Sequence, residues 1–252
     1  RRQRQMCIRD RESRAFTKEE MSGILNKLVA GCVPLENVKL VSALVSNELF
    51  HYVELTHPVG IQDKLWEIGC DIQQHHLMRI RYQRQGADAA SAVERIVEPV
   101  SILFSEYYFY LNAYITKEND GKYTRKYDYP AIFRIDRIAD YKIMEQTFSL
   151  PYASRFQEGE FRKRVQFMYP GRLQSIRLRY TGSSVEAILD RLPTAKIVSQ
   201  DANGYLVEAE IYGNGIVMWL LSQGNRVEVL APQTLREEMF RVLTAMLERY
   251  QP

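Results

Sequence analysis

Residues 107–114 read Tyr-Tyr-Phe-Tyr-Leu-Asn-Ala-Tyr, and period two places Tyr108 and Tyr110 on one side of a strand. Two arginine-bearing segments flank this run: Arg95-Ile-Val-Glu-Pro99 before it and Phe133-Arg134-Ile-Asp136-Arg137-Ile138 after it. Tyrosine supplies a stacking face with a hydroxyl at its edge, and arginine supplies a planar fork that stays charged at every physiological pH. Together they suit recognition of a phosphate-bearing or nucleobase ligand better than they suit the making or breaking of a bond. Each residue has a plainer reading beside this one. Tyr110 can be a half-buried strand tyrosine, Arg137 can pair locally with Asp136, Arg95 can point outward from its strand, and Tyr82 can belong to the core.

Other chemistry is sparse. His75 and His76 are adjacent, so on a helix they diverge by about 100°, and no cysteine or carboxylate stands at metal-ligand spacing; they read as a helix-end surface pair. His51 and His57 have no sequence partner. Tyr212-Gly-Asn-Gly215 has the glycines of a phosphate loop but reads as a turn entering a helix, and Trp219, at helical spacing from Ile216, reads as core. Nucleophile-elbow, zinc-protease and P-loop patterns do not occur. The expectation is a protein without catalytic activity, metal or cofactor.

Three regions must position the tyrosines and arginines. Over 17–77 the pattern is helical: Thr17 and Glu20 have capping-box spacing, Gly31 marks an end, Pro34 opens a second helix, and Pro58 and Gly60 precede a third. Over 78–148 the period shortens to two, in runs at 78–82, 93–97, 102–104, 107–116, 131–135 and 141–144, joined by turns such as 85–88 and 118–121. So many short strands in about seventy residues predict a small β-barrel. After a turn-rich stretch at 149–159, region 160–252 alternates as βαββαβ, the order of a ferredoxin-like unit, with a final helix from Gln233 to Tyr250 and a second capping box at Ser183 and Glu186. The fold class is therefore α+β, with a basic arm at 1–16 ahead of it.

Composition is that of an ordinary globular chain: 252 residues, 46% hydrophobic, 26% charged, net charge +3. The asymmetry lies in the arm, where Arg1, Arg2, Arg4, Arg9, Arg11 and Arg14 outnumber Asp10 and Glu12. Such an arm either touches a phosphate backbone or is a solvated end. Cys7, Cys32 and Cys70 are too scattered for a disulfide framework, and no apolar run suggests a leader or membrane span; a cytoplasmic protein is expected.

Tyr82, Arg95-x-Val97-x-Pro99, Phe109-Tyr110-Leu111 with Ala113, and Phe133-x-x-Asp136-Arg137-Ile138 resemble the WYL domain of bacterial transcription regulators, in order and spacing. Trp219-Leu-Leu-Ser-Gln-Gly224, then Val227-Glu-Val-Leu230-x-Pro232 and Leu235-Arg236, resemble the companion WCX domain. The resemblance implies an Sm/SH3-like barrel and an effector-sensing, dimerising regulator. Its ligand would be single-stranded nucleic acid or a nucleotide-like anion, held by Tyr82, Arg95, Tyr108, Tyr110, Arg125, Arg134 and Arg137. It also implies a homodimer, and promoter DNA read by a helix-turn-helix for which the sixteen residues before Thr17 leave no room. Phe109 stands where the family has tryptophan, and Ala131 where it commonly has arginine, a role that Arg134 or Arg125 would take. The competing expectation is a structural or oligomerisation module that holds no small ligand.

Overall fold

The computed structural model describes residues 15–54, 59–83, 92–105, 107–150 and 156–251. The basic arm from Arg1 to Arg14, Cys7, His57, Pro58 and the expected turn at 85–88 lie outside the described residues. Two compact units form, one from residues 1–126 with 133–150 and one from 127–132 with 151–252.

The first unit opens with α1 (Lys18–Cys32), whose start is the expected capping box: Thr17 Oγ1 accepts the Glu20 N–H at 3.1 Å and Glu20 Oε2 accepts the Thr17 N–H at 2.9 Å. The other Glu20 oxygen accepts the N–H groups of Ile61 and Gln62, at 2.8 and 3.1 Å. One carboxylate thus caps α1 and neutralises the positive end of α3 (Gln62–Gln74), fixing the two helices together. The α1 helix runs one residue past Gly31 to Cys32. Pro34 precedes a 3-10 turn (Leu35–Asn37) and then α2 (Val38–Phe50). The α3 helix ends at His75, whose φ of 57° is left-handed, and the chain enters the sheet at once.

The sheet of this unit has six strands: β1 (His76–Tyr82), β2 (Val93–Ser105), β3 (Tyr108–Asn119), β4 (Lys122–Arg125), β5 (Ala131–Arg134) and β6 (Ile138–Thr147). Their order is β4-β3-β2-β1-β6, with β5 paired to β3, and the four pairings along that path are antiparallel. The runs at 93–97 and 102–104 prove to be one 13-residue strand with a bulge between Pro99 and Ser101. Proline has no N–H to give the ladder, and a bulge is where that loss is tolerated. Among the described residues no pairing joins β4 to β6, so the sheet is open where a closed barrel was expected. The short strands β4 and β5 both use β3 as their neighbour, so neither carries the sheet round to β6. Leu77, Met78, Ile80, Val97, Leu111, Ile135 and Ile138 are fully buried and form its core.

The second unit contains α4 (Glu158–Arg164), β7 (Leu173–Tyr180), α5 (Glu186–Arg191), β8 (Lys196–Asp201), β9 (Gly204–Tyr212), α6 (Ile216–Ser222), β10 (Val227–Ala231) and α7 (Gln233–Tyr250). From β7 onward this is βαββαβ plus a helix, in an antiparallel sheet ordered β10-β7-β9-β8. Ile176, Leu178, Ile188, Val207, Ile211, Ile216, Trp219, Leu220 and Leu235 share one core. The expected capping box at Ser183 and Glu186 does not form: α5 begins at Glu186, with Val185 before it and no side chain capping it. The turn at 212–215 is filled by the protein's own backbone, since a Cβ at Gly215 would lie 2.0 Å from the Gln166 carbonyl oxygen.

Candidate functional site

Strand β3 carries the site. Alternation puts Tyr108, Tyr110, Asn112, Tyr114 and Thr116 on one side, and the register places Ser105, Leu103, Ser101 and Glu98 of β2 opposite the first four. The three tyrosines are half-buried, and the polar residues between and opposite them are dry. Glu98, Ser101, Asn112 and Thr116 are all buried, and Asn112 Nδ2 donates to Ser101 Oγ at 2.9 Å while Thr116 Oγ1 donates to the Ile96 carbonyl at 2.9 Å. Asn112 Oδ1 has no hydrogen-bond partner among the described residues.

At the start of β3, Arg134 lies over the Tyr108 ring, its Cζ 3.2 Å from the ring centre. Two of its nitrogens donate to Asp136, Nε to Oδ1 at 3.0 Å and Nη2 to Oδ2 at 2.5 Å. Burial works against this charge, but the hydrogen bonds and charge of Asp136, with smaller help from Tyr108 and Tyr110, hold the Arg134 pKa above the usual arginine range. The Arg134 N–H donates to Tyr82 Oη at 3.3 Å, and Tyr82 meets Phe133 edge-on at 5.1 Å. Tyr110 stands edge-on to Tyr108 at 6.3 Å. Four of the seven residues, Tyr82, Tyr108, Tyr110 and Arg134, therefore form one cluster.

Of the other three, Arg125 and Arg95 have partners elsewhere, while Arg137 adjoins the cluster through its backbone, its carbonyl accepting the N–H of Gln83, next to Tyr82, at 3.1 Å. Further along β3, Arg125 covers the Tyr114 ring at 3.8 Å and donates from Nε to Glu98 Oε2 at 2.6 Å. Arg95 sits opposite Ile80, where its Nη1 donates to the Glu94 carbonyl at 3.0 Å. Arg137 closes the 3-10 turn Ile135–Arg137, is half-buried, and has no ion pair among the described residues. Asp136, its partner in the plainer reading, is held by Arg134 instead. Sequence reasoning missed Glu98 and Tyr114 altogether, although extending the period-two series from Tyr110 reaches Tyr114. Phe109 turns to the opposite side of the strand and packs against Phe104 and Phe16, at 4.9 and 5.4 Å.

The histidine pair stands at the end of α3, both residues half-buried. His75 caps α3, and His76 starts β1 with its Nδ1 3.4 Å from Asp71 Oδ1. Burial pushes the Asp71 carboxyl up, against the opposing pull of His76. Nearby, Tyr141 donates a short hydrogen bond to Glu67, and burial together with that carboxylate pushes the phenol up to about 12. Among the described residues no group of three or more His, Cys, Asp or Glu is arranged to hold a metal, and no helix is long and apolar enough to cross a membrane.

The WYL domain model matches residues 71–143, a span that includes all seven candidates, and the WCX domain model matches residues 172–247. The chain carries a WYL domain followed by a WCX domain. Two solved structures are similar to this WYL-WCX chain. Proteasome accessory factor B/C (PafBC) of Arthrobacter aurescens is 21% identical with a TM-score of 0.38, over 94% of this chain and 37% of that one. A CRISPR Cas-related protein is 17% identical with a TM-score of 0.46, over 75% of this chain and 52% of that one. The WYL-WCX chain thus spans about a third to a half of these solved chains. No curated protein matches it.

Proposed function

We propose that this chain is the effector-sensing, dimerising core of a bacterial transcription regulator, with helical (17–77), WYL (78–148) and WCX (160–252) parts. Its WYL sheet binds a single-stranded nucleic-acid fragment or nucleotide-like anion. The observation that carries the reading is Arg134 clamped by Asp136 over the Tyr108 ring, with Tyr110 and Tyr82 beside it. A guanidinium already oriented on an aromatic face offers stacking and charge together, and little side-chain freedom remains to be lost on binding. Arg137, without an ion pair among the described residues, supplies the phosphate contact, and Arg95 and Arg125 extend the positive rim. Binding favours one dimer geometry, and so repositions DNA-reading heads supplied outside this sequence. The WCX part is read as ferredoxin-like, supported by its element and strand order.

Fluorescence anisotropy of short labelled single-stranded and duplex DNA across a salt series tests this. The expected result is salt-sensitive single-strand binding, abolished by Tyr110→Ala, weakened by Arg137→Ala, and with a salt slope about one unit shallower for the arginine variant. No binding by any species contradicts a nucleic-acid effector.

Two observations favour the second reading, an oligomerisation module. Arg134 and Arg125 already hold carboxylates, and two helices expose apolar faces: Leu40, Leu44 and Phe50 on α2, and Phe240, Leu243, Leu247 and Tyr250 on α7. Under that reading truncating these apolar residues matters more than removing any arginine.

A further inference from the structure

The two edges of the WCX sheet differ. Strand β10 is covered: α7 follows it directly, and Arg236 Nη1 donates to the Val229 carbonyl at 2.6 Å. Strand β8 forms the other edge, and all six of its residues are exposed, Ile197 at 45% and Val198 at 52%. Among the described residues nothing hydrogen-bonds to its outer side. Exposed edge strands are usually blunted by charge, proline or twist. Here the charges stand only at the ends, Lys196 and Asp201, and the one other deterrent is a bulge at Val198.

We propose that β8 pairs with β8 of a second copy of this chain, antiparallel across a two-fold axis, making one eight-stranded sheet. The sequence fixes the register. An axis between Val198 and Ser199 sets Lys196 opposite Asp201 of the other copy, Ile197 opposite Gln200, and Val198 opposite Ser199, and the same contacts recur on the other side of the axis. The inner pairing supports this choice. Lys196 lies opposite Glu208 and Asp201 opposite Gly204, two positions on the same side of β9, whereas Ile197 and Gln200 lie opposite Val207 and Tyr205 on the other side. The register therefore matches side with side as well as charge with charge. A slip of one residue breaks both.

The charges are free to serve this contact. Lys196 has no ion pair among the described residues, and Glu208 across from it is held by Arg177. One oxygen of Asp201 accepts the Asn203 N–H at 2.7 Å, and the second remains. The bulge beside the axis limits the paired length, which makes a short and reversible contact. This surface rests on the homodimer proposed above and names one part of it.

The test is sedimentation equilibrium of the full chain as wild type, Lys196→Asp, Asp201→Lys and an equimolar mixture of the two variants. Each variant alone puts like charges opposite each other at both ends of the pairing and should weaken self-association about tenfold. The mixture puts opposite charges back at both ends and should restore it, which also shows that neither variant is misfolded. A dimer indifferent to both substitutions, or one that the mixture fails to restore, overturns the edge contact. A wild type that stays monomeric overturns the dimer itself.

Discussion

The two antiparallel sheets of this chain solve the same packing problem with opposite materials. Among the described residues the WCX unit buries one polar residue, Gln166, and each of its ion pairs keeps at least one partner in water; Arg177 and Glu208 are 52% and 40% exposed, and the half-buried Arg164, at 18%, pairs with Glu160 and Glu210 at 43% and 50%. The WYL unit buries Asp71, Glu98, Ser101, Asn112 and Thr116, and keeps the pair Arg134–Asp136 at 19% and 18% exposure. Dry polar groups are costly to keep, and stability alone is served better by apolar packing of the same shape. Under the proposed function the sheet that retains them is the one that recognises the ligand, and its companion is the scaffold.

Mutations can break that contrast, beginning with the scaffold. Leu178→Ala, at a fully buried site in the WCX core, should cost about 2–5 kcal/mol, read as a lower urea midpoint. In the WYL sheet, Asn112→Ala leaves Ser101 Oγ without its partner and should cost about 1–3 kcal/mol. The double change Ser101→Ala with Asn112→Val removes both partners and should recover most of that loss. A double variant as unstable as Asn112→Ala would show that the polar pair is needed for the fold itself. By contrast Arg177→Ala, in an exposed pair, should move stability by less than about 1 kcal/mol.

The smallest effect is the sign of pH dependence. Lys163 and Arg164 hold the exposed Glu160 carboxyl of the WCX unit down at about 2, the Arg164 hydrogen bond contributing most. Its contribution is present above about pH 4.5 and lost as pH falls toward 2. Burial raises Asp71 of the WYL unit above 3.8, so it binds its proton more readily in the folded state, and its contribution falls as pH rises through that raised value. Urea titrations of Glu160→Gln and Asp71→Asn against pH should therefore change slope in opposite directions.

Elements governed by local chemistry were legible in the sequence. The capping box at Thr17, the βαββαβ order and Trp219 as a core residue all appear as read. What escaped depends on partners chosen in three dimensions. Asp136 adjoins Arg137 in sequence, yet the 3-10 turn hands it to Arg134. Glu98 reaches Tyr114 and Arg125 because a bulge at Pro99 fixes which residues of β2 and β3 face each other, and no periodicity reports a bulge. The open sheet has the same origin, since strand length does not reveal that β4 and β5 share β3. Tyr108, Tyr110 and Arg134 were singled out by residue type, period two and the WYL resemblance, and their mutual geometry comes only from the fold.

If the WYL sheet recognises an anion and the WCX sheet does not, removing one charge from each sheet separates the two. Single-strand DNA affinity, measured by anisotropy at one fixed salt concentration, is compared for wild type, Arg137→Ala and Arg177→Ala. Arg137→Ala should lose affinity clearly, and Arg177→Ala should keep wild-type affinity. Equal losses would mean that binding follows net charge alone, and would contradict recognition by the WYL sheet.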